Sequence, residues 1–212
     1  MENRVKYDVT DLTSLEKLEP VRVRPGMYIG STGTKGLHHC IWEILDNSID
    51  EISNGYGNKA SIILNKDKSV TIIDNGRGVP TGVHPIKKKT GVEMVYTELH
   101  TGGKFDNKNY KTSGGLHGVG AAVVNALSEW LEVEVHQNGN IYRQRFEYAF
   151  DKELGKDMPG TAVTPLEIAG KSKNTGTRVT FKPSKEVFST TDFKFDVIDE
   201  RLKELSFQNN GI

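Results

Sequence analysis

Residues 131–137 and 141–148 are two strand-like runs joined by Asn138-Gly139-Asn140. This is the segment that most constrains the fold. Asn and Gly tolerate the positive φ that a tight hairpin turn demands, so an Asn-Gly step between strand-like runs is a strong hairpin signal. A hairpin can only pair antiparallel. A second such pair reads at 59–64 and 69–74, across the polar turn Asn65-Lys66-Asp67-Lys68. Further strands are expected at 161–168 and 177–182, with a polar loop over 151–160. Helical patterns cover 38–54, 91–100, 117–128 and 196–207, the last with Ile198, Leu202 and Leu205 on one side. Arg22 to Gly30 carries a Pro25-Gly26 turn signal, and residues 1–14 form a polar arm. Helices and hairpins are mixed instead of repeating βα. The expected class is α+β: a two-layer sandwich with helices packed on one face of a mostly antiparallel mixed sheet. No repeat or linker divides 15–212, which is read as one domain.

Charge and cysteine content narrow the setting. Lys+Arg and Asp+Glu both number 28, so bulk charge does not call for a nucleic-acid groove, although a local basic patch is compatible with it. Cys40 is the single cysteine, so no intrachain disulfide forms, and a packed thiol is expected. No apolar run approaches the ~18 residues of a membrane-spanning helix. Met1-Glu2-Asn3-Arg4 lacks an apolar signal core. A soluble, cytoplasmic chain with no membrane partner is expected.

Three features carry chemistry. The first is Ser113-Gly114-Gly115-Leu116-His117-Gly118-Val119-Gly120, which runs into the apolar helix-former Ala121-Ala122-Val123-Val124. Glycines before a helix N-terminus present backbone N–H groups to an anion, most simply a phosphate. Thr101-Gly102-Gly103-Lys104-Phe105 and Lys111 precede it, so 101–117 reads as a mobile lid, or more plainly as a solvated loop. The second feature is a helical stripe of Glu43, Asp46, Asn47, Asp50 and Asn54, opposite Ile41, Ile44, Leu45, Ile49 and Ile52. It is either a solvated face or an oxygen-ligand set for a hard cation such as Mg²⁺. His39 lies four residues before Glu43, so the two side chains can meet. The third is Asp74, which ends an apolar strand before Asn75-Gly76-Arg77-Gly78. It reads either as a turn residue or as a pocket-floor carboxylate that accepts from a ligand amine. Neither a Walker A motif nor a dinucleotide fingerprint is present.

Taken in order, Glu43-x-x-Asp46-Asn47, Asp74-x-Gly76-x-Gly78 and the glycine lid resemble the Bergerat (GHKL) ATP-binding fold of type IIA topoisomerases, Hsp90, MutL and histidine kinases. Arg24-Pro25-Gly26-Met27-Tyr28-Ile29-Gly30, Gly36-Leu37-His38-His39, Thr101 to Phe105 and Gly114 to Gly120 narrow the resemblance to the ATPase region of bacterial type IIA topoisomerase B subunits. Lys111-Thr112-Ser113 and Trp130-Leu131-Glu132-Val133 lean towards the topoisomerase IV branch over gyrase. The chaperone and mismatch-repair branches share the Asn47 and Asp74 signals but not the Arg24 to Gly30 run.

The resemblance implies an ATP-hydrolysing, Mg²⁺-using domain. It makes Glu43 the general base, supported by His39, and Asn47 the metal ligand. Asp74 and Thr177 meet the adenine amino group, and Arg77 lies over the purine and pairs with Glu51. Gly78, Val79, Pro80 and Val95 line the base pocket, with Asp50 on the same helix as Glu51. Gly102, Gly103, Lys104, Tyr110, Lys111, Leu116, His117, Gly118, Val119 and Gly120 surround the phosphates. Tyr7 belongs to an arm that crosses to a second copy of the subunit when ATP closes the dimer. The chain stops at Ile212, before the second domain of such subunits, so a fragment of a longer subunit is implied. The implied partners are a second B subunit, the topoisomerase A subunit and DNA. Gln137 departs from the pattern, since many relatives carry Arg there.

Overall fold

The computed structural model describes residues 8, 9, 12, 14–101 and 118–208. Its seven-stranded sheet has the order β1 (Ala60–Leu64), β2 (Val70–Asp74), β7 (Gly176–Pro183), β3 (Ser128–Gln137), β4 (Asn140–Asp151), β5 (Lys156–Ala162), with β6 (Glu167–Lys171) also on β4. Every pairing among these strands is antiparallel. The β3–β4 hairpin closes on Gln137 opposite Asn140. Asn138 and Gly139 between them both hold positive φ, 53° and 76°, as a type I′ turn requires.

One face of the sheet is apolar. Val70, Ile72, Leu131, Val133, Val135, Phe146, Val179 and Phe181 are all buried there. The alternate residues point the other way and pair as ions: Arg143 with Glu134 at 2.6 Å, and Arg145 with Glu147 at 2.6 Å. The apolar face receives α3 (Thr34–Ser53), α4 (Gly91–Thr97) and α5 (Gly120–Ala126), giving the expected two layers. The C-terminal α6 (Phe195–Gln208) buries Ile198 and Leu205, with Leu202 partly covered.

Three expectations are corrected. Residues 151–160 are not a loop, because β5 begins at Lys156 and buries Met158. The expected strand at 161–168 is interrupted, since β5 ends at Ala162 and β6 starts at Glu167. The reason is the length of β4. At twelve residues it takes two partners in succession, β6 along 140–143 and β5 along 146–151. Pro159 and Gly160 disguise β5 as loop in the sequence. Finally, Arg22 to Gly30 is not a simple turn but closes one short helix, α1 (Glu19–Val23), and forms another, α2 (Gly26–Ile29). Pro20 and Pro25 sit at or just before the helix starts, where a missing N–H costs nothing.

The element that matters most for the site is α5. Apart from Asn125 it is built of Gly, Ala and Val, as suits a helix buried from Ala121 to Ala126. Two polar side chains fix it. Asn125, 2% exposed, donates from Nδ2 to the carbonyls of Tyr96 (2.8 Å) and Gly160 (3.0 Å). The Tyr96 carbonyl lies in the last turn of α4, where helical carbonyls lack partners. At the same C-terminal end of α5, Arg22 donates to the Ala126 carbonyl (3.1 Å) and to Ser184 Oγ (3.1 Å). Asn125→Ala leaves two buried carbonyls without a donor and is expected to lower unfolding free energy by about 3 kcal/mol, read by urea denaturation.

Candidate active site

Asp74 ends β2 against three other segments. Its Oδ1 accepts from the Gly76 N–H (2.9 Å) and the Thr177 N–H (3.3 Å), and its Oδ2 from Ser48 Oγ (3.0 Å). Turn, strand β7 and helix α3 therefore converge on one carboxylate. Burial pushes its pKa above the usual carboxylate range, and the nearby Glu51 charge acts in the same direction. The three donors oppose that shift. The close approach depends on glycine. A Cβ on Gly76 would lie 2.9 Å from Glu51 Cβ and 3.0 Å from Asp74 Oδ1. Gly176, with φ +146°, passes so near Asp74 that a Cβ would overlap its carbonyl oxygen.

Beside it lies a tightly held arginine. Glu51 Oε2 accepts from Arg77 N (2.9 Å) and Nε (3.1 Å), and Oε1 accepts from Nη2 (2.8 Å). The Arg77 guanidinium carbon stands 3.5 Å from the centroid of the Tyr56 ring. Gln137 Nε2 donates to the Arg77 carbonyl (3.2 Å), while its Oε1 accepts from Thr81 Oγ1 (3.1 Å). The departure at Gln137 thus produces a neutral clamp on the 77–81 loop.

The second cluster lies further back along α3. His39 Nε2 and Glu43 Oε1 are 3.0 Å apart, both partly exposed. The hydrogen bond to Glu43 raises the His39 pKa above the ordinary histidine range. Burial opposes this, and the charges of Glu43 and Asp46 add to it. Asn47 Nδ2 donates to the Glu43 carbonyl (2.9 Å), which fixes the orientation of its amide. Gly120, the first residue of α5, closes the cluster. A Cβ there would overlap Glu43 Oε2 and lie 2.9 Å from Cδ. The Thr101 N–H donates to the Gly118 carbonyl (3.1 Å), joining the two ends of the intervening segment.

The structure thus gathers Asp74, Glu51, Arg77 and Thr177 in one cluster, with Gly78 following in the Arg77 loop. A second cluster holds His39, Glu43, Asn47 and Gly120, and Val119 precedes it as the N-cap of α5. Pro80 packs against the start of α4, and Val79 and Val95 are partly buried on the core. Asp50 does not share the expected solvent-facing stripe. It is 4% exposed, buried within the fold. Tyr7, Gly102, Gly103, Lys104, Tyr110, Lys111, Leu116 and His117 lie outside the described residues. Sequence reasoning passed over Ser48 and Tyr56. Ser48 was legible as the one hydroxyl amid the apolar side of α3, whereas Tyr56 carries no local signal.

One helix, α3, thus bears a His–Glu pair towards its start and meets a strand-end aspartate further on, with the glycine-led helix α5 closing on the glutamate. The chain belongs to the family of histidine kinase-, DNA gyrase B- and HSP90-like ATPases, whose family model matches residues 32–187. It is similar to the B subunit of DNA topoisomerase 4 from Staphylococcus epidermidis, at 54% identity over 208 residues, which cover 98% of this chain and 30% of that protein. The corresponding protein of Staphylococcus aureus is 55% identical over 208 residues, with the same coverage. Among solved structures it superposes on the 43K ATPase domain of Thermus thermophilus gyrase B in complex with an aminocoumarin. That match has a TM-score of 0.76 and 41% identity, covering 92% of this chain and 46% of the other. The chain thus spans about 30% of the length of these curated relatives.

The raised pKa of His39 gives a pH signature. The protonated ring is the form that Glu43 favours, so its contribution to stability is present below the unfolded histidine pKa and lost as pH rises through the raised folded value. An NMR titration is expected to place the His39 midpoint above the ordinary histidine range, and Glu43→Gln is expected to lower it.

Proposed function

We propose that this chain is the ATP-binding and hydrolysing region of a bacterial type IIA topoisomerase B subunit, of the topoisomerase IV kind. The observation that carries the reading is that one helix, α3, serves both ends of the site. Glu43 and His39 lie towards its start, and Ser48 and Glu51, which hold Asp74 and Arg77, lie about two turns on. Eight residues of helix from Glu43 to Glu51 span about 12 Å, a distance suited to an extended nucleoside triphosphate.

The chemistry follows from the side chains. Asp74 directs its protein-facing lone pairs to Gly76, Thr177 and Ser48, and a carboxylate so placed accepts a further hydrogen bond from an adenine amino group. At the other end, Glu43 takes a proton from water as the water oxygen bonds to the γ-phosphorus and the bond to the ADP oxygen breaks. His39 holds the carboxylate in orientation through its 3.0 Å contact and stabilises its charged form. Gly120 abuts the same carboxylate, and Gly102, Gly103, Lys104, Tyr110, Lys111, Leu116, His117, Gly118 and Val119 complete the phosphate shell in this reading.

A divalent cation fits the donor set only as a shared ion. Among the described residues no group of three or more His, Cys, Asp and Glu side chains gathers to hold one. Asn47, beside Glu43, would supply the protein oxygen, with phosphates and water as the remaining ligands, as Mg²⁺ prefers. When bound, Mg²⁺ neutralises charge that develops on the transferring phosphoryl group.

The domain reading is residues 15–212 as the ATP-binding unit and 1–14 as an arm, with Tyr7, that reaches a second copy. In the whole protein, ATP-driven closure of two B subunits would drive DNA strand passage with the A subunit in the cytoplasm. Two measurements test this. Asp74→Asn can keep the Gly76 and Thr177 bonds through its amide oxygen and reverse the third, its Nδ2 donating to Ser48 Oγ, and it removes a charge whose burial is unfavourable. Its melting temperature at neutral pH is therefore expected not to fall, while affinity for ADP falls at least about tenfold by calorimetry. In the full-length subunit, Glu43→Ala is expected to bind nucleotide and lose turnover. Wild-type subunit paired with its A subunit is expected to decatenate DNA without negative supercoiling. Retained turnover in Glu43→Ala would remove Glu43 as the base.

A further inference from the structure

We propose that Tyr56 is a positioning residue that sets the affinity of this site for a planar base, acting through Arg77. The inference rests on the nucleotide-site reading above and deepens it. Tyr56 lies in the turn after α3, and its ring meets Arg77 face-on, with the guanidinium carbon 3.5 Å from the ring centroid. The edges of the guanidinium are already committed, since Glu51 binds Nε at 3.1 Å and Nη2 at 2.8 Å. Those bonds define the plane of the group but leave it able to rock about the carboxylate. A ring pressed on one face removes that motion. The Arg77 side chain remains 38% exposed even so.

Tyr56 is well placed for this work because its own backbone is anchored on the strand end that presents Asp74. Its N–H donates to the Glu51 carbonyl at 3.0 Å. Two residues on, the N–H groups of Asn58 (3.0 Å) and Lys59 (2.9 Å) both donate to Asn75 Oδ1. Asn75 adjoins Asp74, and Gly76 is wedged between Asp74 and Glu51. Ring, guanidinium and Asp74 carboxylate are therefore referenced to one short stretch, residues 74–77. A base stacked on Arg77 has its edge directed by the same backbone that aims the carboxylate. The useful property of Tyr56 is its π face, not its hydroxyl, because a cation over a ring is held by the ring quadrupole.

The test is calorimetric ADP binding to this chain for wild type, Tyr56→Phe, Tyr56→Leu, Arg77→Ala and the Tyr56→Leu/Arg77→Ala pair, with melting temperatures alongside. Tyr56→Phe is expected to bind within twofold of wild type. Tyr56→Leu is expected to weaken binding roughly five- to tenfold, the scale of one partly exposed cation–π contact. In the Arg77→Ala background the same change is expected to cost less than twofold, because its effect passes through Arg77. A purely structural role would instead add its cost in both backgrounds. Unchanged binding in Tyr56→Leu, equal weakening in Tyr56→Phe, or additivity in the double variant overturns the proposal while leaving the nucleotide site standing. A wild-type chain that binds no adenine nucleotide overturns the functional reading and this proposal with it. Should Tyr56→Leu fail to fold, Tyr56→Phe and Tyr56→His decide the matter, since both keep an aromatic face and are expected to retain binding.

Discussion

The carboxylate of Asp74 joins the two layers of this molecule. A charged oxygen pair withdrawn from water is costly unless donors meet it. Here the donors come from a turn, a neighbouring strand and the helix layer: Gly76, Thr177 and Ser48. Satisfying that one group fixes the depth at which α3 lies on β2, the register at which β7 enters beside them, and the shape of the loop to Arg77. Glu51, Arg77 and Gln137 then extend the same bonding outward to the rim. Burial holds the Asp74 pKa above the usual carboxylate range, and the three donors offset it only in part.

The other half of the site depends on packing. Among the described residues the partly exposed Glu43 side chain meets His39 on its own helix and Gly120 at the start of α5. That helix offers no charge and no long side chain at its start, only Gly120 against the carboxylate. Asn125 and Arg22 hold α5 from behind by binding carbonyls at the ends of α4 and of α5 itself. These polar groups are remote from the chemistry, yet they determine the space left around Glu43. In the function proposed above, one helix, α3, would serve recognition and reaction alike. A shift of that helix would be felt at both ends.

Much of this was legible in the chain. The Asn138-Gly139 turn specified its hairpin because few residues tolerate two successive positive φ angles. The four-residue spacing of His39 and Glu43 placed them in contact, since helical geometry is local. The strand before Asp74 and the pairing of Glu51 with Arg77 also emerged as anticipated. What was misread depended on distant partners. β5 contains Pro159 and Gly160, poor strand residues by any local measure, and is a strand only because β4 is long enough to pair with it. Asp50 reads as part of a polar stripe, but the folded chain buries it.

The sequence by itself determined most of the element types, the class of fold and the residues able to do chemistry, because turn propensity, helical period and side-chain chemistry act over a few neighbouring positions. Only the tertiary structure decided which of them act together. Ser48 meets Asp74 across 26 residues, Asn125 meets Gly160 across 35, and Thr177 reaches Asp74 across 103. No local rule specifies such pairs. They follow from the strand order, from the burial of one sheet face, and from the requirement that each buried polar group find a partner.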